Sequence, residues 1–195
     1  FRGRQRVRIT LGDAEYLAME RIFGETLASH LDELSRRGAP MPLDDVLDVL
    51  IGVADALSAA HRAGVAQRDL KPSNVILAGE RVVLVDFGLF IPEVLVSPEN
   101  EISGTPEYLA PEVLTRSVSR GEGPLIDLYS LGVLAFELLT GRTPFADDDV
   151  GRVISRHVAT APPDIAHQRE IPHELAGLVH ELLSKDPHER PPSAE

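Results

Sequence analysis

Apolar and polar residues alternate with helical spacing over residues 43–63. Asp44 and Asp45 fall in the first turn, where carboxylates favour the positive end of a helix dipole, and Gly64 follows the last turn. The apolar positions form one stripe, made of Val46, Leu47, Leu50, Ile51, Ala54, Leu57 and Ala60. The pattern predicts an amphipathic helix whose apolar stripe packs into a core.

Four further segments have the same periodicity. Leu27, Leu31 and Leu34 predict a helix over residues 25–37, closed by Gly38. Helices are also predicted at about 124–140, 147–158 and 172–184. We therefore expect a mainly helical protein.

Short strand-like runs separate some of these helices. "RVRIT" and "EYLAM" predict two strands joined by a Gly-Asp turn, and "VIL" and "VVLV" predict a second pair separated by "AGER". Residues 86–112 lack clear periodicity and contain several prolines, which predicts a long loop. Loops of that length in a compact domain are usually functional.

Composition narrows the function classes. The 195 residues are 43% hydrophobic, enough for one well-buried core. The net charge of −12 argues against nucleic-acid binding, which needs cationic groups opposite the phosphates. The chain has no cysteine, which excludes disulfides and thiolate metal sites and is compatible with the cytoplasm.

One apolar segment is long enough to raise the question of a membrane. "PLIDLYSLGVLAFELLTG" carries Asp127 and Glu137, so it predicts a buried core helix, and any membrane anchor is expected outside this chain. No secretory signal opens the chain. The chain begins at Phe1 and stops where another helix starts, so we expect it to be part of a longer protein.

A group of chemically active residues follows the helix predicted at 43–63. Asp69, Lys71 and Asn74 occupy a short connector ahead of a strand, and Asp86 ends the next β-rich run. A loop between rigid elements can fix side chains at a cleft. A carboxylate that accepts a proton, an ammonium, and two oxygen ligands for magnesium together suit phosphoryl transfer.

Several motifs in this order resemble those of eukaryotic-type serine/threonine protein kinases, in the style of bacterial members. "EYLAMERIFGETL" resembles the last N-lobe strand and the hinge, and "QRDLKPSN" resembles the catalytic loop. "DFG" resembles the start of the activation segment, and "SGTPEYLAPE" resembles its substrate-docking end. "IDLYSLGVLAFELLTGRTPF" resembles the central buried helix, and "LLSKDPHERP" resembles the late arginine-bearing turn.

The resemblance implies catalytic and metal-binding roles. Asp69 would orient the substrate hydroxyl and accept its proton, and Lys71 would steady the transferring γ-phosphoryl group. Asn74 and Asp86 would hold Mg²⁺. Lys71, two residues after the aspartate, is typical of the serine/threonine-specific branch.

An ATP site is implied as well. Met19 would be the gatekeeper, Glu20 and Ile22 would offer backbone groups to adenine, and Glu25 would reach the ribose. The complete set of residues expected to line the nucleotide is Met19, Glu20, Ile22, Glu25, Ile76 and Val85.

The implied fold is the helical C-lobe of a protein kinase, mainly α, with hinge strands and a small hairpin at the catalytic loop. Residues 1–23 would form the last two N-lobe strands and the hinge, and residues 24–195 the C-lobe without its end. The chain has no Gly-rich phosphate loop, and its only lysines are Lys71 and Lys185. We therefore expect this piece alone to be inactive.

Other residues would support the site. The resemblance implies a buried ion pair between Glu112 and Arg190, and Asp127 as a brace for the catalytic-loop backbone. His61 is interpreted as a packing or scaffold residue, and Thr105 would contact the catalytic loop.

Two serines raise the question of regulation. Ser97 and Ser103 lie in the activation segment, and a phosphate on either could pair with Arg68 and raise activity. Ordinary solvated loop serines are the alternative, and the sequence leaves both open.

One position departs from the family pattern. Gln67 stands where the family usually has histidine, a side chain that packs the DFG turn and transfers no proton. We expect the glutamine to change loop geometry more than chemistry.

The sequence thus predicts a serine/threonine kinase that uses Mg-ATP and a protein substrate. A pseudokinase that binds partners without transferring phosphate is one alternative, favoured only by Gln67. A small-molecule phosphotransferase is the other, and Lys71 together with the docking segment "GTPEYLAPE" argues against it.

Overall fold

The computed structural model of the chain describes residues 7–11, 14–18, 20–87, 106–119 and 121–195. Within these ranges the regular elements are β1 Val7–Leu11, β2 Ala14–Ala18, β3 Glu25–Thr26, α1 Leu27–Arg36, α2 Leu43–Arg62, β4 Val75–Ala78, β5 Arg81–Leu84, α3 Pro111–Leu114, α4 Gly123–Thr140, α5 Val150–Ala159 and α6 His173–Leu182. Short 3₁₀ turns cover Pro72–Asn74, Pro106–Tyr108 and Pro187–Glu189. The mainly helical class expected from the sequence is confirmed.

The predicted helices are found with small shifts at their ends. α2 matches its prediction to within one residue, and Gly64 follows its end with a positive φ of 75°. The helix predicted to begin at residue 25 begins at Leu27 instead. Thr26 caps it, since its side chain accepts a hydrogen bond from the Ser29 N–H, and this fixes Glu25 and Thr26 as strand β3.

The strands form two small antiparallel sheets. β1 pairs with β2, as predicted, while the turn between them lies outside the described residues. β4 pairs with both β3 and β5 in the order β3-β4-β5. Glu25 is opposite Leu77 and Thr26 is opposite Ile76, so the start of α1 is tied to the strand that follows the loop between α2 and β4.

The prediction of a loop over all of residues 86–112 is partly wrong. Pro106–Tyr108 is a 3₁₀ turn, and Pro111 begins α3. Proline at the first helical position suits a helix start, because that position needs no N–H donor. A four-residue helix is too short to give a periodic sequence signal, and residues 88–105 lie outside the described residues.

α4 forms the centre of the core. Fourteen of its eighteen residues are buried, including Asp127, Tyr129 and Phe136. Among the described residues, α4 alone is long and apolar enough to cross a membrane by length and composition, and 78% of it is buried inside the protein. The interpretation of this segment as a core helix is therefore supported by its packing.

Two glycines allow the helices to approach their neighbours closely. A Cβ atom on Gly132 of α4 would lie 2.8 Å from the Cβ of Leu182 in α6. A Cβ atom on Gly52 of α2 would lie 2.6 Å from the Cβ of Val82 in β5. The second contact sets the distance between α2 and the hairpin β4–β5, and so the position of the loop between them.

Candidate active site

The loop between α2 and β4 is fixed at its start by Asp127. This carboxylate is fully buried and accepts hydrogen bonds from the backbone N–H groups of Gln67 (2.8 Å) and Arg68 (2.6 Å). His61, at the end of α2, places Nε2 2.7 Å from the same carboxylate. The core helix therefore holds the loop by its backbone, as the resemblance implied, and His61 belongs to the scaffold.

The side chains of the loop then alternate between core and surface. Leu70 is buried in the hydrophobic core and Pro72 is buried beside it, while Asp69 and Lys71 remain half-exposed. The two apolar anchors leave the loop little freedom. The two polar side chains that flank Leu70, those of Asp69 and Lys71, stay partly exposed.

Asp69, Lys71 and Asn74 form one hydrogen-bonded group. The Asp69 carboxylate Oδ2 accepts from Lys71 Nζ at 2.9 Å and from Asn74 Nδ2 at 2.9 Å. Asn74 Nδ2 also donates to the Asp69 backbone carbonyl at 2.8 Å. The carboxylate is thus oriented by an ammonium and an amide, and the side-chain oxygen Oδ1 of Asn74 takes no part in these hydrogen bonds.

Asp86 is next in sequence to a residue that contacts this group. The Val85 N–H donates to the Asn74 carbonyl at 3.0 Å, which places Asp86 one residue beyond a backbone contact with Asn74. Asp86 is exposed and has a φ of 60°. A non-glycine residue in the left-handed region is uncommon, and such strain is concentrated at functional sites.

The residues present fit a magnesium ion. Asn74 and Asp86 supply one amide and one carboxylate oxygen, and Mg²⁺ commonly takes one or two protein ligands and completes its shell with water and phosphate oxygens. Among the described residues, no cluster of three or more His, Cys, Asp or Glu side chains could hold a metal by itself. A metal at this site would therefore depend on the nucleotide.

The residues predicted to line the nucleotide are only partly described. In the pairing of β3 with β4, Glu25 is opposite Leu77 and Ile76 is opposite Thr26. Val85 follows directly after β5, and its N–H donates to the backbone carbonyl of Asn74. Glu20 and Ile22 lie in the irregular stretch that leads into β3, and Met19 lies outside the described residues. Their contacts with adenine stay a prediction.

A contact that the sequence did not suggest fixes the 3₁₀ turn at Pro106–Tyr108 to α4. The Tyr108 hydroxyl donates to Glu137 Oε2 at 2.6 Å, and Ser130 Oγ donates to the Tyr108 carbonyl at 2.8 Å. Burial raises the pKa of both Tyr108 and Glu137, so the tyrosine keeps its proton and donates it. The signal was the charge of Glu137 inside an apolar helix, which requires a buried partner.

The predicted ion pair is present and buried. Arg190 Nη1 and Nη2 reach the two carboxylate oxygens of Glu112 at 2.7 and 2.8 Å, in a two-bond fork. Arg190 also donates to the carbonyls of Leu125 (2.8 Å) and Ser184 (3.0 Å), and stacks on the Tyr129 ring. It joins α3, α4 and the 3₁₀ turn at Pro187–Glu189.

Three predicted residues of the activation segment lie outside the described residues, namely Ser97, Ser103 and Thr105. Phosphorylation of either serine and contact of Thr105 with the catalytic loop therefore stay predictions. Arg68, the proposed partner of a phosphate, is exposed beside Asp69.

Asp127→Asn should be strongly destabilising. An amide presents one oxygen and one NH₂ group to two N–H donors and a histidine, so at least one buried donor loses its acceptor. We expect the free energy of unfolding to fall by about 2–4 kcal/mol, since hydrogen bonds to a buried charge are among the strongest. Urea unfolding measures this.

Asp149→Asn is the matched control. Asp149 caps α5 by accepting from the Arg152 N–H, and aspartate and asparagine are equally good caps. It should change stability by less than about 0.5 kcal/mol. Equal effects of the two substitutions would contradict the role given to Asp127.

Comparisons with known proteins agree with this geometry. Residues 9–195 match the family described as "Protein kinase domain". The chain is 38% identical over 186 residues to the serine/threonine-protein kinase PksC of Streptomyces coelicolor, an alignment that covers 92% of this chain and 33% of that protein.

Two further relatives are similarly related. Pkn1 of Myxococcus xanthus is 35% identical over 184 residues, covering 90% of this chain and 25% of that protein. PknA of Mycobacterium tuberculosis is 33% identical over 179 residues, covering 90% of this chain and 39% of that protein. The chain spans between a quarter and two fifths of these relatives. With nearly all of its length matched by the family model, and with the loop and the buried ion pair that the resemblance implied, the chain belongs to the protein kinase family.

Proposed function

We propose that the protein containing this chain transfers the γ-phosphate of Mg-ATP to serine and threonine hydroxyls of other proteins. The observation that carries the proposal is the group in which Asp69 Oδ2 is held by Lys71 Nζ and Asn74 Nδ2, next to Asp86. Named relatives of the chain are serine/threonine-protein kinases. Since ATP is the phosphate donor, we place the domain in the cytoplasm.

Asp69 and Lys71 would have different roles in phosphoryl transfer. Asp69 would hold the substrate hydroxyl in line and accept its proton, because its carboxylate is half-exposed and already oriented by two donors. Lys71 would balance negative charge on the phosphoryl group that is transferred.

Asn74 and Asp86 would hold Mg²⁺, which when bound neutralises charge on the phosphates of ATP. Glu25, Ile76 and Val85 would contact the ribose and the base. Tyr108, fixed to α4 through Glu137, would shape the surface on which the peptide docks.

The test uses the full-length protein with γ-labelled ATP, Mg²⁺ and a general protein substrate. We expect label on serine and threonine, identified by mass spectrometry, and no transfer when Mg²⁺ is removed. Label on tyrosine would contradict the substrate class. Binding of ATP without any transfer would instead favour the pseudokinase alternative.

A further inference from the structure

Gln67 links the two turns that present the acidic residues. Its backbone N–H donates to Asp127 Oδ2 at 2.8 Å, and its side-chain Nε2 donates to the Val85 carbonyl at 2.7 Å. Asp69 follows two residues after Gln67, and Asp86 follows directly after Val85. One fully buried side chain thus joins the catalytic loop to the residue before the metal-binding aspartate.

Both linked turns contain a strained residue. Arg68, next to Gln67, has a φ of 62°, and Asp86, next to Val85, has a φ of 60°. Left-handed backbone in a non-glycine residue persists only where surrounding contacts impose it. On the catalytic-loop side, Asp127 accepts the two N–H groups of the turn; on the Asp86 side, the Val85 carbonyl is held by Gln67.

Of the two polar atoms of the Gln67 side-chain amide, Nε2 makes a hydrogen bond and Oε1 does not, within the part of the chain that the structure describes. Among the described residues, Oε1 is buried and has no hydrogen-bond partner. A buried acceptor without a partner is costly, and the hydrogen bond from Nε2 to the Val85 carbonyl is the polar contact that offsets this cost. Its function is the donor, Nε2, and a glutamine supplies that donor without titrating.

We propose that Gln67 is a positioning residue that fixes Asp86 relative to Asp69 by donating a hydrogen bond to the Val85 carbonyl, independently of pH. The proposal rests on the proposed kinase function. The charged groups around this link are Asp127 and His61 on the core side, and Arg68 and Asp86 in the two turns. Gln67→Met adds no titratable group, so the ratio of this variant to the wild type cancels the titration of these four residues.

Two substitutions of similar size distinguish a hydrogen-bonding role of Gln67 from a packing role. Gln67→Met keeps the length and removes the donor at every pH. Gln67→Glu offers an O–H donor when protonated and a repelling carboxylate when ionised, and burial raises the pKa of such a carboxyl group. Only the glutamate variant should therefore depend on pH.

The experiment measures two quantities in the full-length protein between pH 6.0 and 8.5. One is the rate of phosphoryl transfer relative to wild type. The other, without nucleotide, is the hydrogen-exchange protection of the Val85 amide, whose N–H donates to Asn74. For Gln67→Met we expect both to fall about tenfold at every pH, the size of one lost buried hydrogen bond. For Gln67→Glu we expect the same loss at pH 8.5 and recovery towards wild type at pH 6.0.

Gln168 provides the matched control, because its side chain is exposed and accepts a long hydrogen bond from Arg142 at 3.4 Å, far from the two turns in sequence. Gln168→Met and Gln168→Glu should leave both quantities unchanged. Wild-type behaviour of Gln67→Met, or a flat pH profile for Gln67→Glu, would overturn the role given to Gln67. If the wild type transfers no phosphate, the proposed function fails. Hydrogen exchange at the Val85 amide still tests whether Gln67 holds the Val85 carbonyl.

Discussion

Replacing Asp69 with asparagine is expected to lower the rate of phosphoryl transfer by about 10³-fold, within the range for losing a general base. An asparagine side chain has nearly the same shape, but it cannot accept a proton. It also presents an NH₂ group to Lys71 Nζ and Asn74 Nδ2, both of which are donors to Asp69 Oδ2. The assay is the steady-state rate with labelled ATP and a protein substrate.

Stability should change much less than activity. Asp69 is half-exposed, so its replacement leaves no buried charge, and thermal unfolding of Asp69→Asn should remain close to wild type. Asp55→Asn, on the exposed face of α2, makes the same chemical change away from the site and should leave the rate unaltered. An Asp69→Asn variant that kept more than a tenth of the wild-type rate would show that another group accepts the proton.

Breaking the buried ion pair should have the largest effect on folding. Arg190→Met leaves the Glu112 carboxylate buried without its partner, since the side chains of the pair are 0% and 5% exposed. We expect the free energy of unfolding to fall by about 3–5 kcal/mol. The Leu125 and Ser184 carbonyls also lose a donor, so the loss should lie towards the upper end.

The double variant Glu112→Leu/Arg190→Met distinguishes the cost of losing the ion pair from the cost of leaving one charge buried without a partner. Because it removes both ions, it should be more stable than the Arg190→Met single variant. Arg36→Met removes an exposed ion pair with Glu33 and should cost less than about 1 kcal/mol. Equal losses for Arg190→Met and Arg36→Met in urea unfolding would contradict the structural role of Arg190.

The sequence predicted elements best where many residues repeat one pattern. The stripe of α2 and the apolar run of α4 extend over five turns or more, so chance spacing matters little and both helices were found within one or two residues. The group of Asp69, Lys71 and Asn74 was predictable for another reason. Its members lie within six residues, so any ordered loop brings them close together.

Contacts between distant segments were harder to predict. Glu25 was assigned to a helix, because the pairing of β3 with β4 depends on residues fifty positions away. The bond from Tyr108 to Glu137 joins segments 29 residues apart, and neither side chain belongs to a local pattern. The link from Gln67 to the Val85 carbonyl involves a backbone acceptor, which no side-chain sequence encodes directly.

The central claim is that Asp69, Asn74 and Asp86 share one site for magnesium and ATP, and a crystal structure of the full-length protein with Mg²⁺ and a non-hydrolysable ATP analogue tests it most directly. We expect one cation bound by Asn74 Oδ1 and an Asp86 carboxylate oxygen at about 2.1 Å, with the terminal phosphate next to Asp69 and Lys71. Nucleotide bound away from these side chains, or a cation that contacts neither Asn74 nor Asp86, would contradict the claim.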